Sequence, residues 1–197
     1  MLCAAASKQR DCMGWFTLEH GKAAYRADFA AYGAVVVGLS GVLLAGVPRS
    51  QGLEVLLLVP TGLVGWTAVE YALHRFVLHG LPPFRGWHAQ HHRRPTALIS
   101  TPTLMSAALI AVLVFVPAWL LADVWAASAL TLGLSIGYLA YAITHHATHH
   151  WHADNAWLKQ RKRWHALHHG SPDQPCCFGV TSAFWDRVFG SERRATH

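Results

Sequence analysis

Residues 124–144, VWAASALTLGLSIGYLAYAIT, contain no charged side chain, and the six residues that follow, HHATHH, include four histidines. A helix rises about 1.5 Å per residue, so a helix over this run is long enough to cross the hydrocarbon core of a bilayer. The histidines would then lie where the helix leaves the membrane. Three other runs are similarly long and apolar, with Glu70 as their one charged residue, and they are residues 29–47, 55–73 and 103–122.

The composition of the whole chain is also that of a membrane protein. Of its 197 residues, 53% are hydrophobic and 13% are charged, so the chain is more apolar and less charged than a typical soluble domain. A soluble chain of this length cannot bury four helices that are apolar on every face. We therefore predict an all-α integral membrane protein with four transmembrane helices.

Short connections are expected to pair the four spans into two hairpins. Only PRSQGLE separates the first two runs, and little more than Asp123 separates the last two, whereas residues 80–102 and the segment after the fourth run are long and basic. Of the sixteen lysines and arginines, only Arg49 falls on the side of the short turns. The positive-inside rule therefore predicts that the termini and a histidine-rich helical cap are cytoplasmic.

Residues 1–28 are predicted to form a cytoplasmic leader, and residues 29–197 a single membrane domain. The leader mixes charged and small residues and lacks the apolar core of a secretory signal. The four cysteines, two of them in this leader, show no C-x-x-C spacing. We therefore expect reduced thiols rather than a disulfide framework or a zinc ribbon.

The chain has 15 histidines, and ten of them form four groups. One pair ends the second span, another ends the fourth, and an HxxHH motif follows each pair. An even number of crossings separates the groups, so all four should emerge on one face of the membrane. Residues three or four apart share a face of a helix, so each HxxHH motif should form one patch. The ten histidines are His74, His79, His88, His91, His92, His145, His149, His165, His168 and His169.

This group of imidazoles predicts a metal site. Imidazole binds iron, zinc, copper and nickel, and one ion takes about four to six ligands, so ten histidines indicate two ions. The register at the end of the fourth span stays open, because His146 and His150 form a second HxxxH pair. His74 and His79 would lie about 140° apart on an unbroken helix. We therefore expect the helix to fray at Gly80, which would let His79 fold back.

Few carboxylates accompany these histidines, unlike the glutamate-rich di-iron sites of soluble four-helix bundles. The nearest in sequence are Glu70, one turn before the first pair, and Asp154. We predict that each of them orients an imidazole N–H instead of binding metal. His20, His152 and His197 lack this spacing, and we expect them at the surface.

Several stretches of the chain resemble the fatty acid hydroxylase family, the histidine-box membrane group that also contains sterol desaturases. The similarity extends over about residues 65–190 and is greatest to fatty acid 2-hydroxylases, and we expect a member of this type without the cytochrome b5 domain that some of them carry. The segment FGVTSAFWDRVFG is similar to the stretch that follows the family's last box. The stretches that resemble the boxes are EYALHRFVLH at 70–79, HAQHH at 88–92, GYLAYAITHHATHH at 137–150 and HALHH at 165–169.

The resemblance implies that the ten histidines bind two iron ions, with zinc possible in purified protein. Tyr141 and Thr144 precede His145 as in the family's motif, which favours the register that uses His145 and His149. The implied reaction is the hydroxylation of a lipid acyl chain with O2, in lipid biosynthesis. The implied partners are a lipid from the bilayer and a separate electron donor of the ferredoxin or cytochrome b5 type. We expect no nucleic-acid partner.

Other functions are also compatible with the histidine motifs. A carotenoid ring hydroxylase and a sterol oxidase or desaturase have similar boxes, although FGVTSAFWDRVFG favours a fatty acid hydroxylase. A membrane metal-binding or transport protein is the alternative outside enzymes. A transporter is expected to place its ionisable ligands near the bilayer midplane and on both sides. Here the histidines are predicted on one side only.

Overall fold

The computed structural model describes residues 19–171 and 174–193. These residues contain helices and no strand, which confirms the all-α prediction. The second and third spans each contain a π-helical turn, at Leu73–Leu78 and Ala111–Phe115. The helices are α1 (Lys22–Gly46), α2 (Gly52–Ala72), α3 (Phe84–Arg93), α4 (Thr103–Ile110), α5 (Val116–Leu121), α6 (Val124–His150), α7 (Ala156–His169) and α8 (Phe184–Val188).

Four helical segments are long and apolar enough to cross a membrane, as the sequence predicted. Two boundaries differ from the prediction. The first span begins at Lys22, inside the predicted leader, and the fourth continues through its histidines to His150. Residues 1–18 of that leader lie outside the described residues, as do Cys3 and Cys12. The four segments are Lys22–Gly46, Arg49–Leu78, Thr103–Leu121 and Val124–His150.

The fourth span, α6, is the centre of the membrane domain. Over its most apolar stretch 61% of the residues are buried, whereas the corresponding value for the other three spans is 11% or less. The other spans therefore turn large apolar side chains outward, and Leu44, Leu104 and Leu121 are each at least 85% exposed. Such surface suits contact with lipid tails and not with water.

The closest contact in the bundle joins α2 to α6 through two glycines. A Cβ atom on Gly62 would lie 2.2 Å from the carbonyl oxygen of Leu130, and one on Gly133 would lie 1.9 Å from that of Val59. Small residues allow membrane helices to approach until their backbones touch. This approach brings the C-terminal ends of the second and fourth spans together, where the two histidine pairs lie.

The π-helical turn at the end of the second span aligns the first histidine pair. The backbone N–H of His79 donates to the carbonyl of His74 at 3.2 Å, which is the five-residue bond of a π turn. The two imidazole centroids lie 5.3 Å apart as a result. The structure thus differs from the expected fraying at Gly80, because the helix widens before it ends.

Substitution of Gly62 tests the contact between α2 and α6. We expect Gly62→Ala to lower the free energy of unfolding by about 1–3 kcal/mol, because the added methyl group meets backbone that side-chain movement cannot displace. Thermal unfolding of the purified protein in detergent would measure the loss. Gly65→Ala is the matched control, since a Cβ atom there meets no atom within 4 Å. Equal melting temperatures for the two variants would contradict the proposed packing.

Candidate metal centre

The ten predicted histidines come together in two adjacent groups where α2, α3, α6 and α7 meet. In each group the ligand atoms of four or five histidines lie within 4.8 Å of one another. His169 adjoins the second group, because its Nε2 lies 3.1 Å from Nε2 of His165. The first histidine group is His74, His79, His88, His92 and His168, and the second is His91, His145, His149 and His165.

Each HxxHH helix contributes to both histidine groups. In α3, His88 and His92 belong to the first group and His91 to the second. In α7 the assignment is reversed, with His168 in the first group and His165 in the second. Residues four apart lie nearly above one another on a helix, while the residue between them is rotated away. Each predicted patch is therefore divided between two neighbouring sites.

All ten imidazoles point the same ring nitrogen, Nε2, at another imidazole. The Nε2 to Nε2 distances are 3.0 Å between His74 and His88, 3.1 Å between His79 and His168, and 2.7 Å between His149 and His165. Two nitrogens that bind one ion at about 2.1 Å can lie no more than about 4.2 Å apart. The geometry of both groups therefore fits nitrogen ligands that share a metal ion.

The structure separates the two possible histidine registers at the end of α6. Nε2 of His145 lies 3.1 Å from Nε2 of His91, and His149 packs against His165, so both residues of the first register are inside the second histidine group. The alternative pair, His146 and His150, stacks on itself on another face of the helix, with ring centroids 4.5 Å apart. His146 contacts Tyr25 of α1, and His150 is exposed.

Backbone carbonyls fix the orientation of one histidine from α2 and one from α7. Nδ1 of His74 donates to the carbonyl oxygen of Phe178 at 2.6 Å, and Nδ1 of His168 donates to that of Cys176 at 2.8 Å. A carbonyl can only accept, so in each neutral ring Nδ1 carries the hydrogen and Nε2 keeps its lone pair. Cys177, between these carbonyls, has a φ of 58°, a left-handed conformation that is uncommon for a residue other than glycine.

Glu70 acts on the histidines through this carbonyl-bearing segment. The structure differs from the predicted contact with an imidazole N–H. Oε1 of buried Glu70 accepts hydrogen bonds from the backbone of Val180 and Thr181, at 2.7 and 2.9 Å, because that segment folds back over α2. Oε2 accepts from the hydroxyl of Thr181. Glu70 thus ties the second span to the segment that supplies the carbonyl for His74.

Asp154 does not share this arrangement. Its Oδ1 lies 3.5 Å from Nε2 of His152, and both side chains are more than 85% exposed. The residue lies in the turn between α6 and α7, where the chain faces solvent, so the predicted contact with an imidazole of the centre is absent from the described residues. His152 is therefore at the surface, as predicted.

Asp186, which the sequence analysis did not single out, holds the backbone of the segment whose carbonyls orient the histidines. It is fully buried, and its two carboxylate oxygens accept from the backbone N–H groups of Phe178 and Gly179, both at 2.8 Å. The hydroxyl of Ser191 donates to the same carboxylate. The only visible signal was an acidic residue within the family-like stretch FGVTSAFWDRVFG. Nothing in that stretch indicates which backbone groups the carboxylate binds.

Burial keeps the imidazoles of the centre in the neutral form. Desolvation, reinforced by the nearby imidazole of His169, lowers the pKa of His79 to about 4. The same two causes, together with His79, lower the pKa of His92 to about 3. Metal ions bind the neutral imidazole, so these histidines need not release a proton near neutral pH before they bind metal.

A cavity of about 110 Å³ lies beside the histidine groups, between α1, α3, α6 and the segment before α4. His88, His91 and His145 form part of its wall, and most of the remaining wall is apolar or aromatic. Asp28 of α1 also lines it. A molecule in this cavity would therefore contact the histidines directly in mainly apolar surroundings.

The model of the family described as fatty acid hydroxylase matches residues 59–191, a stretch that contains both histidine groups and the segment that binds them. The chain belongs to the fatty acid hydroxylase family. This membership confirms the resemblance that the histidine motifs indicated. The protein is also similar to a solved structure of this kind, full-length scs7p with only its hydroxylase domain visible. The two share 30% sequence identity with a TM-score of 0.74, over 87% of this chain and 67% of the other.

Two curated relatives of this family member share 33% identity with it. One is the ceramide very long chain fatty acid hydroxylase scs7 of Schizosaccharomyces pombe, matched over 75% of this chain and 44% of the relative. The other is a dihydroceramide fatty acyl 2-hydroxylase of Arabidopsis thaliana, matched over 74% of this chain and 65% of the relative. The chain thus spans less than two thirds of the length of either.

Substitution of Asp186 tests how the histidines are held. We expect Asp186→Asn to reduce metal affinity about 10- to 100-fold, because the new NH2 group would face a backbone N–H and release the segment that orients His74 and His168. Metal content after dialysis against graded chelator would measure the change. Asp154→Asn is the matched control at an exposed site. Unchanged affinity in Asp186→Asn would contradict this role.

Proposed function

We propose that this protein hydroxylates the acyl chain of a membrane lipid at the 2-position, with two iron ions held by the ten histidines. The observation that carries this proposal is the convergence of ten Nε2 atoms, in two adjacent groups and the adjoining His169, beside a cavity that the histidines help to line. The relatives support the acyl substrate, because the names of two of them specify ceramide and dihydroceramide hydroxylases.

The residues of the centre fit iron. The donor set is almost entirely neutral imidazole, which suits iron as well as zinc, but zinc has no redox chemistry. Bound iron would supply the activation of O2 that hydroxylation of an unreactive C–H bond requires. The protein orients the nitrogens through hydrogen bonds from His74 and His168 to backbone carbonyls.

A second cavity suggests where the lipid tail lies. It has a volume of about 420 Å³, lies between α1, α4 and α6, and is lined mainly by apolar side chains such as Val35 and Ile110. Tyr32 on its wall packs against Tyr138 on the wall of the first cavity, with ring centroids 4.1 Å apart. We propose that the acyl tail lies along the second cavity while the carbons next to its head group reach the histidines.

The orientation of the centre and its electron source are further parts of the proposal. Within the described residues, the lysines and arginines other than Arg49 lie toward the histidine end of the spans, which favours a cytoplasmic centre. Hydroxylation with O2 consumes two electrons that the chain itself does not generate. We therefore propose a separate protein donor, of the ferredoxin or cytochrome b5 type, on that face.

The other candidate functions have less support. The relatives that the chain matches here are named as fatty acid or ceramide hydroxylases, and these names do not support a carotenoid or sterol substrate. A transporter would need ionisable ligands along a path through the bilayer. The two histidine groups instead lie at one end of the spans.

Two neighbouring histidines of α6 test the ligand assignment. We expect purified protein to hold close to two metal ions per chain, and His149→Ala to lose at least one of them, because His149 belongs to the second histidine group. His150→Ala, one residue further on, should keep both, since its ring is exposed on another face. Elemental analysis by mass spectrometry would measure metal content. Loss in His150→Ala with retention in His149→Ala would reverse the register.

Lipid analysis tests the reaction. We expect lipids from cells that express the protein to show a gain of one oxygen atom in the acyl chain of N-acyl lipids, because the centre lies where an acyl chain enters from the bilayer. Mass spectrometry with fragmentation would locate the oxygen, and cells that express His168→Ala, which lacks a proposed ligand, are the control. Oxygen gained by carotenoids or sterols, with acyl chains unchanged, would favour the alternative substrates.

A further inference from the structure

A carboxylate of the first span lies buried in the wall of the cavity beside the histidines. Asp28 is only 6% exposed, and its Oδ1 has no hydrogen-bond donor among the residues that the structure describes. A buried carboxyl oxygen without a donor destabilises a fold, so such groups are rare unless a ligand or water completes them. Ionisable residues in membrane spans commonly mark functional positions for the same reason.

The hydroxyl groups nearest to Asp28 along α1 already have partners. Tyr32, one turn later, donates to Oγ of Ser106 at 2.8 Å. The hydroxyl of Tyr25, about one turn earlier, pairs with Nδ1 of His146 at 3.3 Å. The remaining space next to the carboxylate is the cavity itself. A donor for Asp28 is therefore expected from a molecule that occupies this cavity.

The position of Asp28 on α1 agrees with the direction of the proposed lipid. Asp28 lines the first cavity, whereas Tyr32, Val35 and Leu39 line the apolar second cavity. These four residues are spaced by four, three and four positions, so they lie on one face of the helix. The polar end of this face is beside the histidines, and its apolar end runs into the membrane.

We propose that Asp28 determines substrate specificity by accepting a hydrogen bond from the head group of the lipid. This inference rests on the proposed function and adds the residue that recognises the head group. The carboxylate accepts from an amide N–H or a hydroxyl, and it repels the carboxylate of a free fatty acid. Asp28 therefore favours the binding of a neutral N-acyl lipid that carries such donors over the binding of the corresponding free acid.

Competition between two lipids with the same acyl chain tests this proposal. The full chain, purified in lipid nanodiscs, is incubated with equal amounts of a ceramide and the corresponding free fatty acid, and native mass spectrometry gives the ratio of bound lipids. We expect wild type to prefer the ceramide. Asp28→Ala and Asp28→Asn should each lower the ratio by about tenfold, through loss of a hydrogen bond to a charged group. Asp28→Asn preserves the shape of the side chain if the alanine variant does not fold.

Glu54→Gln is the control, because it removes an exposed carboxylate at the start of α2, away from both cavities. An unchanged ratio in both Asp28 variants, or a wild-type preference for the free acid, would overturn the proposal. Hydroxylated products are measured separately in the same samples supplied with iron, O2 and a reductant. If wild type hydroxylates neither lipid, the proposed function fails, and the binding ratio still decides the role of Asp28.

Discussion

Ten imidazole Nε2 atoms are packed so closely that neighbouring ones lie about 3 Å apart. The helix contacts and hydrogen bonds around them hold the rings at these distances. Lone pairs that face each other at such distances repel, and protonation of several rings in one buried site would be worse. Burial favours the neutral form of the rings. A metal cation shared by the Nε2 atoms would attract the lone pairs that otherwise repel one another. The arrangement is therefore understandable as a set of ligands and difficult to explain as ordinary packing.

Three sets of contacts hold the histidines close together. Gly62 and Gly133 allow α2 and α6 to touch along their backbones, which brings their histidine-bearing ends together. The π turn then aligns the two histidines of the second span. Finally, two buried carboxylates, Glu70 and Asp186, hold the segment whose carbonyls orient the rings. The carboxylates thus act on the histidine groups through backbone groups and not by direct contact with the rings.

The two cavities relate the centre to the membrane. One lies against the histidines and is lined by Asp28, whose Oδ1 has no hydrogen-bond donor within the described part of the chain, and the other is apolar and lies between spans. A lipid is the kind of molecule that matches both, because it has a polar head and a long tail. Under the proposed function the bilayer would hold the substrate pool, and the protein would need only to select the head group and to place a few carbons near the histidine groups.

Sequence alone determined the membrane class, the number of spans and the ten histidines, because apolar length and histidine spacing are local properties of the chain. It also favoured one register, through a family resemblance in the residues before His145. Only tertiary structure decided which histidines share a site, since α3 and α7 each contribute to both groups. It also showed that Asp186 binds backbone and that Asp154 does not reach the centre. Such partners are distant along the chain, and no local pattern encodes the contact of a carboxylate with a particular N–H group.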